Sequence, residues 1–436
     1  MKNQLPSEGP RVLMVGYNGA NNTGAEALLQ SDIEDVRAVL GPTVRISVPT
    51  LNEANLRRYL KESDTLRIAP MPTLFFGAVR RFVRQSDLVM LVEGSTYMDT
   101  WGSPLLWAFL WATRCAAALG KPCLAYAVDA GSLSAANERR VRTTASRTDL
   151  IVTRTEAAAE RVRRIGVTAP IRTTADNAFT FQPRAEDAGW AARAWPRARS
   201  GMVGFAVVDF SLWPAVMRPW GRKDQCYKWP YYFSRSAERD RYRASLARGY
   251  AAQADRIIES TGKAVALVCM EQVDEPLARS LQSHMRHPDG ARVYSAREHD
   301  ASRMTALLRS LDLLVTSRFH AAVLSLAATV PQIAIHHDTR LHTLYRDLGL
   351  ADEWFLEPKR EGWERTGEVE TALFEGLEAR LDRLLSNPDL QAQRLSRGYT
   401  AHLGRARGNR DLLRGFVNRF LGPSMRADVG GASWVA

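Results

Sequence analysis

Short apolar segments alternate with segments of helical periodicity along most of this chain, and the alternation starts again near residue 202. Strands that are apolar throughout are typical of a parallel sheet covered by helices on both faces. The pattern predicts an α/β fold class with two doubly wound Rossmann-like domains facing a cleft, where the strand ends would place ligands. The candidate strands are residues 12–15, 44–48, 88–92, 123–127, 150–152 and 171–173 in the first half, and 202–208, 264–270, 311–317 and 331–337 in the second.

The length of the chain also favours two domains. A single hydrophobic core stops growing at roughly 250 to 300 residues, and this chain has 436 residues, 45% of them hydrophobic. We place an N-terminal Rossmann-like domain at 11–182, a linker at 183–201 and a C-terminal Rossmann-like domain at 202–375. An aromatic-basic flap, 209–236, interrupts the second domain, and a helical segment with a loose tail, 376–436, follows it.

Charge and cysteine content limit the classes of partner and compartment. The net charge of +12 and the sequence pI near 9.8 suit nucleic acid, an anionic lipid surface or an acidic substrate, and do not choose among them. The four cysteines form no Cys-x-x-Cys pair, and the first ten residues lack the apolar stretch of a secretory signal. The longest apolar stretch, 104–120, contains Arg114 and is too short for a membrane span. We therefore expect a buried helix there and a cytoplasmic protein.

The first candidate strand runs directly into a loop rich in glycine and asparagine, GYNGANNTGAEALL, at residues 16–29. The loop lacks the Lys-Ser/Thr pair of a Walker A motif and the glycine spacing of a dinucleotide fingerprint. We therefore interpret it as an anion- or substrate-binding loop that belongs to neither of these two classes. Its candidate binding residues are Asn18, Asn21, Asn22 and Gly24.

The second half has its strongest candidate site in VTSRFHAAVLSLAA, residues 315–328. An apolar strand ends there and a helix begins, so Ser317, Arg318 and His320 would lie at the carboxyl end of a strand. Arginine offers a planar fork for a carboxylate or phosphate, and histidine exchanges a proton near neutral pH. The alternative is a capping serine, a surface arginine and a packed histidine.

Further polar residues follow strands of the first half. An arginine at a strand end can clamp an anion, and a carboxylate can orient sugar hydroxyls or act as a base. The same residue types equally suit turns and helix starts. The candidates are Arg154, Glu93, Gly94, Ser95, Asp129 and Asp176.

Two other stretches of the second half contain candidate ligands. The segment HHDTRLH, residues 336–342, lacks the spacing of a zinc motif, so we predict no metal site, and Arg340 is a candidate ligand for phosphate or an acidic sugar. In the flap, Trp220 and Trp229 could stack on pyranose rings, enter a membrane interface or stack with single-stranded nucleic acid. Alternatively, the flap buries these rings against the second domain.

Five stretches occur in order between residue 11 and about residue 350: NNTGAEALL, EGST, VTRTEAAAERVRRIGV, TADNAF and TSRFHAAVLSLAATVPQIAI. Their order and composition resemble the polysaccharide pyruvyltransferase family, whose corresponding signatures are GxxNxGDEA, GGGS, TRDExSxxxLxxLGV, xADPAF and SxRxHxxIxAxxxGxPxxxI. The chain departs from the family pattern at Ala25, at Glu93, at Asp129 with Ala130, and at Arg340.

The resemblance implies a GT-B-like fold and a transferase that moves pyruvate from phosphoenolpyruvate onto a sugar of a cell-envelope or exopolysaccharide glycan as a cyclic ketal. It implies that Arg318, His320 and Arg154 bind the donor and catalyse the transfer. Glu26 and Asp129 are secondary candidates for orienting hydroxyls. Phosphoenolpyruvate would be the donor substrate, and we expect no cofactor besides it.

The expected partner besides the donor is a glycan or lipid-linked sugar, and we expect no nucleic acid. The basic composition and the flap extend the hypothesis to a peripheral contact with the anionic inner face of the membrane, and the sequence carries no indication of an oligomeric state. Two alternatives stay open. One is a GT-B glycosyltransferase with a nucleotide-sugar donor, because four signature positions have diverged. The other is a non-catalytic carbohydrate-binding scaffold.

Overall fold

The computed structural model describes residues 9–100, 102–210, 215–222, 226–233, 236–358, 369 and 371–421. The chain divides into two compact units. The first unit contains the chain up to Ala20, Leu28–Thr180 and the chain from Gly404 onward, and the second contains Asn21–Ala27 and Phe181–Leu403. No helix among the described residues is both long and apolar enough to cross a membrane.

The first unit is built on a seven-stranded sheet in which all paired strands are parallel. The order of its strands is β3-β2-β1-β4-β5-β6-β7, so the direction of winding reverses between β1 and β4. The strands are β1 Arg11–Val15, β2 Arg45–Thr50, β3 Leu66–Pro70, β4 Leu88–Leu91, β5 Cys123–Val128, β6 Leu150–Thr153 and β7 Ile171–Thr173.

The second unit has a six-stranded parallel sheet of order β13-β12-β8-β14-β15-β16 and a small antiparallel sheet of order β10-β11-β9. Winding of the large sheet reverses between β8 and β14. The strands of the second unit are β8 Met202–Ala206, β9 Ala215–Met217, β10 Cys226–Lys228, β11 Tyr231–Phe233, β12 Ala264–Cys269, β13 Ala291–Ser295, β14 Leu313–Thr316, β15 Gln332–Ile335 and β16 Phe355–Leu356.

The helices follow the strands in the alternation that the sequence predicts. They are α1 Thr23–Leu40, α2 Glu53–Tyr59, α3 Phe76–Gln85, α4 Ser103–Ala118, α5 Ala135–Ala145, α6 Glu156–Ile165, α7 Trp190–Ala194, α8 Ala237–Thr261, α9 Glu275–His284, α10 Ala301–Arg309, α11 Phe319–Ser325, α12 Thr339–Asp347, α13 Ala351–Trp354, α14 Thr371–Ser386 and α15 Ala392–Phe420.

Local chemistry explains where α6 begins and ends. Thr155 precedes the helix, and its side chain accepts a hydrogen bond from the backbone N–H of Ala158. The helix ends at Gly166, whose φ of 90° lies in the left-handed region that glycine adopts without strain. A glycine at this position therefore ends the helix without strain.

The C-terminal helix α15 contributes to the core of the first unit. Leu413, Phe416 and Val417 pack in one buried cluster with Val12 and Met14 of β1. The apolar positions recur with the spacing of one helix face, so this face covers the sheet. The helix extends to Phe420, through part of the region where the sequence predicts a loose tail. The remainder of that tail, from residue 422, lies outside the described residues.

The sequence analysis missed three strands of the two large sheets: β3, β13 and β16. Each is an edge strand of its sheet. Both β3 and β13 contain exposed arginine side chains among their buried residues, so neither shows the continuous apolar run of a central strand. The predicted linker contains α7, and the predicted flap contains the antiparallel sheet of β9, β10 and β11.

Candidate functional site

Most of the predicted site residues of the second unit lie at the carboxyl edge of its large sheet. Strands β8 and β14 lie side by side where the winding reverses, which is where ligands bind in open α/β sheets. Ser317 directly follows β14, and Arg318 is the residue before α11. His320 lies in the first turn of α11, so the sequence prediction of a strand-end cluster is confirmed for these three residues.

The asparagine-rich half of the opening loop belongs to this second unit and adjoins the end of β12. The N–H of Thr23 donates to the carbonyl of Met270 at 2.9 Å, and the N–H of Gln272 donates to the carbonyl of Asn21 at 3.1 Å. The side chain of Asn21 also donates to Gln272 Oε1 at 2.8 Å. Asn22 Oδ1 accepts from the N–H of Ala25 at 3.0 Å and so caps the start of α1.

Gly24 lies directly against the imidazole of His320. A Cβ atom added to this glycine would lie 2.0 Å from His320 Nδ1 and 2.3 Å from Cγ. Contacts this short do not occur between non-bonded atoms, so any other residue at position 24 would displace the ring. The loop and the Arg-x-His segment, which are almost 300 positions apart in the sequence, therefore form one constellation.

Arg318 is held in place by two carboxylates. Its Nε donates to Asp274 Oδ2 at 3.1 Å, its Nη2 donates to the other oxygen of Asp274, and its Nη1 donates to Glu271 Oε2 at 3.3 Å. Burial alone would lower the pKa of the guanidinium, but attraction to Asp274 and Glu271 outweighs it and the net pKa is raised. Burial raises the pKa of Asp274, and Arg318 offsets only part of that rise.

Arg340 follows β15, the neighbour of β14, and pairs with Asp338. Its Nε donates to Asp338 Oδ2 at 3.0 Å, while Oδ1 of Asp338 accepts from the N–H groups of Arg340 and Leu341 and caps α12. Burial favours a higher pKa for Asp338, but Arg340 and His337 overcome it and the net pKa is well below its usual value. Asp338 also interacts electrostatically with Arg318.

Three buried polar atoms around this constellation have no hydrogen-bond partner among the described residues: Ser317 Oγ, Thr23 Oγ1 and Asn21 Oδ1. Buried polar groups are normally satisfied, so such atoms are available to a ligand or to water. Glu26, by contrast, is engaged, because its Oε2 accepts from the N–H of Ala301 at 2.9 Å in the first turn of α10.

The first unit has its own buried ionic cluster at the ends of β5 and β6. Arg154 follows β6, and no part of its side chain is exposed. Its Nε donates to Asp129 Oδ2 at 2.8 Å, and its Nη1 donates to Asp176. Burial would lower the pKa of Arg154, but the two carboxylates raise it above the usual arginine value. A Cβ on Gly94 would lie 2.3 Å from Arg154 Nη1, so the guanidinium has room only because residue 94 has no side chain.

The remaining candidates of the first unit join its loops to one another. Asn18 Nδ2 donates to the carbonyls of Met14 and Pro49, each at 3.2 Å. Glu93 accepts from the N–H of Ser95 at 3.1 Å and from the N–H of Tyr17 at 3.3 Å. The carboxylate that stands where the family signature has glycine therefore ties the loop after β4 to the loop after β1.

The remaining candidates of the second unit are the two tryptophans and the histidines of residues 336–342. Trp220 and Trp229 lie in the segments around the antiparallel sheet and are 77% and 58% exposed. The rings of His336 and His342 lie beside Phe355. Within the described parts of the chain, no group of three or more His, Cys, Asp or Glu is arranged to hold a metal ion.

Sequence analysis missed two sets of partners. Glu271 and Asp274 follow the apolar run of β12, and a strand-end search extended to that run would have found them. The second set lies in the first unit, where Asp35 accepts from Tyr126 OH at 2.8 Å, from Asn177 at 3.0 Å and from Arg410 at 2.8 Å. Its members come from distant segments without a shared pattern.

Comparisons with known structures show a GT-B-like fold of two parallel-sheet α/β domains. HepE from Anabaena in complex with UDP-glucose has a TM-score of 0.56 and 11% identity, with 94% of this chain and 100% of that chain covered. MnaA from S. aureus with UDP has a TM-score of 0.59 and 10% identity, with 94% of this chain and 96% of that chain covered. A glycosyltransferase from Rickettsia africae has a TM-score of 0.54 and 10% identity, with 96% of this chain and 100% of that chain covered.

Comparison of the sequence with families of proteins identifies the chain more closely. No curated protein matches it significantly. The model of the family described as polysaccharide pyruvyl transferase matches residues 22–339, which is more than half of the chain and includes the glycine loop from Asn22 onward, the Arg154 segment and the Arg-x-His segment. This chain is a transferase that belongs to the polysaccharide pyruvyl transferase family.

Proposed function

We propose that this transferase moves pyruvate from phosphoenolpyruvate onto a sugar of a cell-envelope or exopolysaccharide glycan, forming a cyclic ketal. The observation that carries the proposal is the constellation in the second unit, in which Arg318 and His320 lie at the strand end and Gly24 abuts the imidazole. The buried hydroxyl of Ser317, which has no hydrogen-bond partner in the described residues, adds a donor for the substrate.

The donor has a carboxylate and a phosphate, and guanidinium groups bind both. Three N–H donors of Arg318 are used by Glu271 and Asp274, and its remaining N–H donors are those we assign to the donor substrate. The two carboxylates orient the fork but also reduce the local positive charge. An anion that binds beside Arg318 would favour protonation of Asp274, whose pKa burial already raises. Donor binding should therefore be accompanied by proton uptake.

The reaction adds two acceptor hydroxyls to the central carbon of the enol and releases phosphate. The methylene carbon gains one hydroxyl proton and becomes a methyl group, the bond from the central carbon to the phosphate oxygen breaks, and the second hydroxyl proton leaves with phosphate. His320 is the group we assign to proton transfer, because histidine can hold or release a proton near neutral pH. The acceptor-orienting roles of Glu26 and Asp129 remain predictions.

Arg154 is assigned a different role from Arg318. Its side chain is completely buried and bonded to Asp129 and Asp176, so we propose that it orients these carboxylates. Removing its charge would leave two buried carboxylates uncompensated. Direct contact between Arg154 and the donor would require these bonds to rearrange.

The second candidate function is glycosyl transfer from a nucleotide sugar. HepE, which shares the fold at a TM-score of 0.56, was solved with UDP-glucose, and the chain departs from the family signatures at four places, including Glu93 and Arg340. The third alternative of the sequence analysis, a non-catalytic carbohydrate-binding scaffold, is not retained, because the chain belongs to a family of transferases.

The experiment is isothermal titration of the full-length protein with phosphoenolpyruvate and, separately, with UDP-glucose. We expect phosphoenolpyruvate to bind the wild type and to bind Arg318→Ala at least about tenfold more weakly. Arg318→Lys is the second variant, because it keeps a cation beside Glu271 and Asp274 but lacks the planar fork. Arg256→Ala is the matched control, since Arg256 pairs with Asp382 on the outside of the same unit.

The outcomes separate the two candidate functions. Binding of UDP-glucose without binding of phosphoenolpyruvate would replace pyruvyl transfer with glycosyl transfer, and binding of neither would overturn both. If phosphoenolpyruvate binds and Arg318→Lys and Arg318→Ala both retain full affinity, the donor site lies elsewhere. Repeating the titration in buffers of different ionisation enthalpy measures the proton uptake.

A further inference from the structure

Exposed apolar side chains concentrate in one small segment, which we call the aromatic hairpin: residues 215–222 and 226–233, formed around β9, β10 and β11. Seven large hydrophobic side chains are exposed in the described chain, and four of them lie in this hairpin: Val216, Met217, Trp220 and Trp229. Scattered exposed apolar residues are ordinary on soluble proteins, but a cluster of this kind indicates a contact surface.

The hairpin is internally organised, so its exposed rings have defined positions. Tyr232 pairs with Val216 across the sheet, and Tyr232 and Phe233 are buried. The guanidinium of Arg218 lies 4.9 Å from the centre of the Tyr232 ring. Trp229 Nε1 donates to the carbonyl of Pro219 at 3.1 Å. One set of aromatic rings thus anchors the hairpin while the two tryptophans remain exposed.

The charge of this segment is complementary to an anionic surface. Residues 215–233 include four cationic side chains and one acidic side chain, within a chain of net charge +12. Arg218 and Arg222 lie in the described part, next to Trp220. Near an anionic membrane surface each Lys or Arg contributes about 1 kcal/mol, which corresponds to about fivefold in partitioning.

We propose that the aromatic hairpin docks on the surface of an anionic lipid bilayer, with Trp220 and Trp229 at the level of the headgroups and Met217, which is 58% exposed, against the acyl boundary. Tryptophan is enriched at this boundary because its ring is apolar and its N–H is polar. Stable peripheral binding requires both apolar insertion and basic charge, and the hairpin provides both.

A glycan fits this surface less well than a bilayer does. Pyranose rings stack on aromatic faces, but the exposed side chains of Met217 and Val216 offer nothing to a hydroxyl-rich ligand. An anionic bilayer uses the apolar side chains and the arginines together. If the proposed pyruvyl transfer is correct, docking would also bring the enzyme to a lipid-linked acceptor, but the docking itself does not depend on that reaction.

The test is co-sedimentation of the full-length protein with vesicles of phosphatidylcholine alone and of phosphatidylcholine mixed with phosphatidylglycerol. We expect the wild type to bind the mixed vesicles, and Trp220→Ser/Trp229→Ser to bind them at least about tenfold more weakly. Leu74→Ser is the matched control, because Leu74 is 72% exposed but lies in the first unit. Arg222→Gln should weaken binding to the mixed vesicles but not to phosphatidylcholine vesicles, because only the mixed vesicles are anionic.

Trp220→Ser alone is the second variant, because Trp229 makes a hydrogen bond within the hairpin and its loss could disturb the fold. The proposal is overturned if the tryptophan variants bind the mixed vesicles as the wild type does, or if Leu74→Ser weakens binding equally. It is also overturned if the tryptophan variants lose affinity for a soluble oligosaccharide and keep their affinity for vesicles. Titration with phosphoenolpyruvate should be unchanged in Arg222→Gln, which separates this proposal from the proposed function.

Discussion

Replacing Gly24 with alanine would place a methyl group where the imidazole of His320 lies. The added carbon would be 2.0 Å from Nδ1, 2.3 Å from Cγ and 2.7 Å from Cε1, whereas ordinary contact begins at 3.4 Å. The ring would have to move by about 1.4 Å or the first turn of α1 would have to shift. The variant therefore tests the contact on which the constellation depends.

The expected cost follows from two opposing effects. Overpacking of this kind costs roughly 1–3 kcal/mol, while alanine is better than glycine in a helix by up to about 1 kcal/mol. The net destabilisation is about 0.5–2 kcal/mol, which corresponds to a fall in Tm of about 1–8 °C for a unit of this size. If His320 transfers the proton, a displacement of about 1 Å would also reduce turnover by roughly 10²-fold.

The assay is thermal unfolding of Gly24→Ala, His320→Ala and the double variant. Removal of the imidazole opens the space that the methyl group needs, so Gly24→Ala should cost nothing in the His320→Ala background and should slightly raise Tm. Gly404→Ala is the control, because a Cβ at this helical glycine meets nothing within 4 Å. We expect that control to be neutral or stabilising.

Two results would refute this reasoning. If Gly24→Ala lowers Tm by the same amount with and without the imidazole, the clash with His320 is not the cause. If Gly24→Ala behaves like Gly404→Ala, position 24 has room for a side chain and the close approach of the loop to the ring is absent in solution.

Three further predictions concern buried charges. Arg154→Met should destabilise the protein by roughly 3–5 kcal/mol, because Asp129 and Asp176 would lose their cation; a fall in Tm no larger than that of the exposed control Arg286→Ala would contradict this. Asp338 has a depressed pKa in the folded state, so its stabilising effect is present above its ordinary pKa of 3.8 and is lost as pH falls through the folded value. Asp338→Asn should therefore lower Tm at pH 7, with a difference that narrows below about pH 4, and a constant difference would argue against a charge effect. Asp32 shows the opposite sign: burial and then repulsion from Asp35 raise its pKa, which remains elevated despite the hydrogen bond from Asn177. The wild type should therefore lose stability relative to Asp32→Asn as pH rises above 3.8. A difference in Tm between the two proteins that does not change with pH would contradict the raised pKa of Asp32.

The alternation of apolar runs and helical segments was sufficient to predict the fold class, because strands buried on both faces need continuous apolar sequence. The central strands β1, β4, β8 and β14 follow that rule, whereas the edge strands β3 and β13 are partly exposed and were missed. Placement of Arg318 and His320 at a strand end was also predictable, since it depends only on the boundary between β14 and α11.

Tertiary structure alone decided what these residues contact. Gly24 meets His320, and Thr23 bonds to Met270, across almost 300 and almost 250 positions of sequence. Arg318 was predicted as an anion ligand from its position, but its pairing with Asp274 and Glu271 depends on the order of β12, β8 and β14 in the sheet. Likewise, the sequence predicted a helical segment followed by a loose tail after residue 375, and only the folded chain showed that α15 continues to Phe420 and puts Leu413 and Phe416 on the first sheet. Periodicity is a local property of the chain, whereas ionic pairing and packing depend on which distant segments the sheet order brings together.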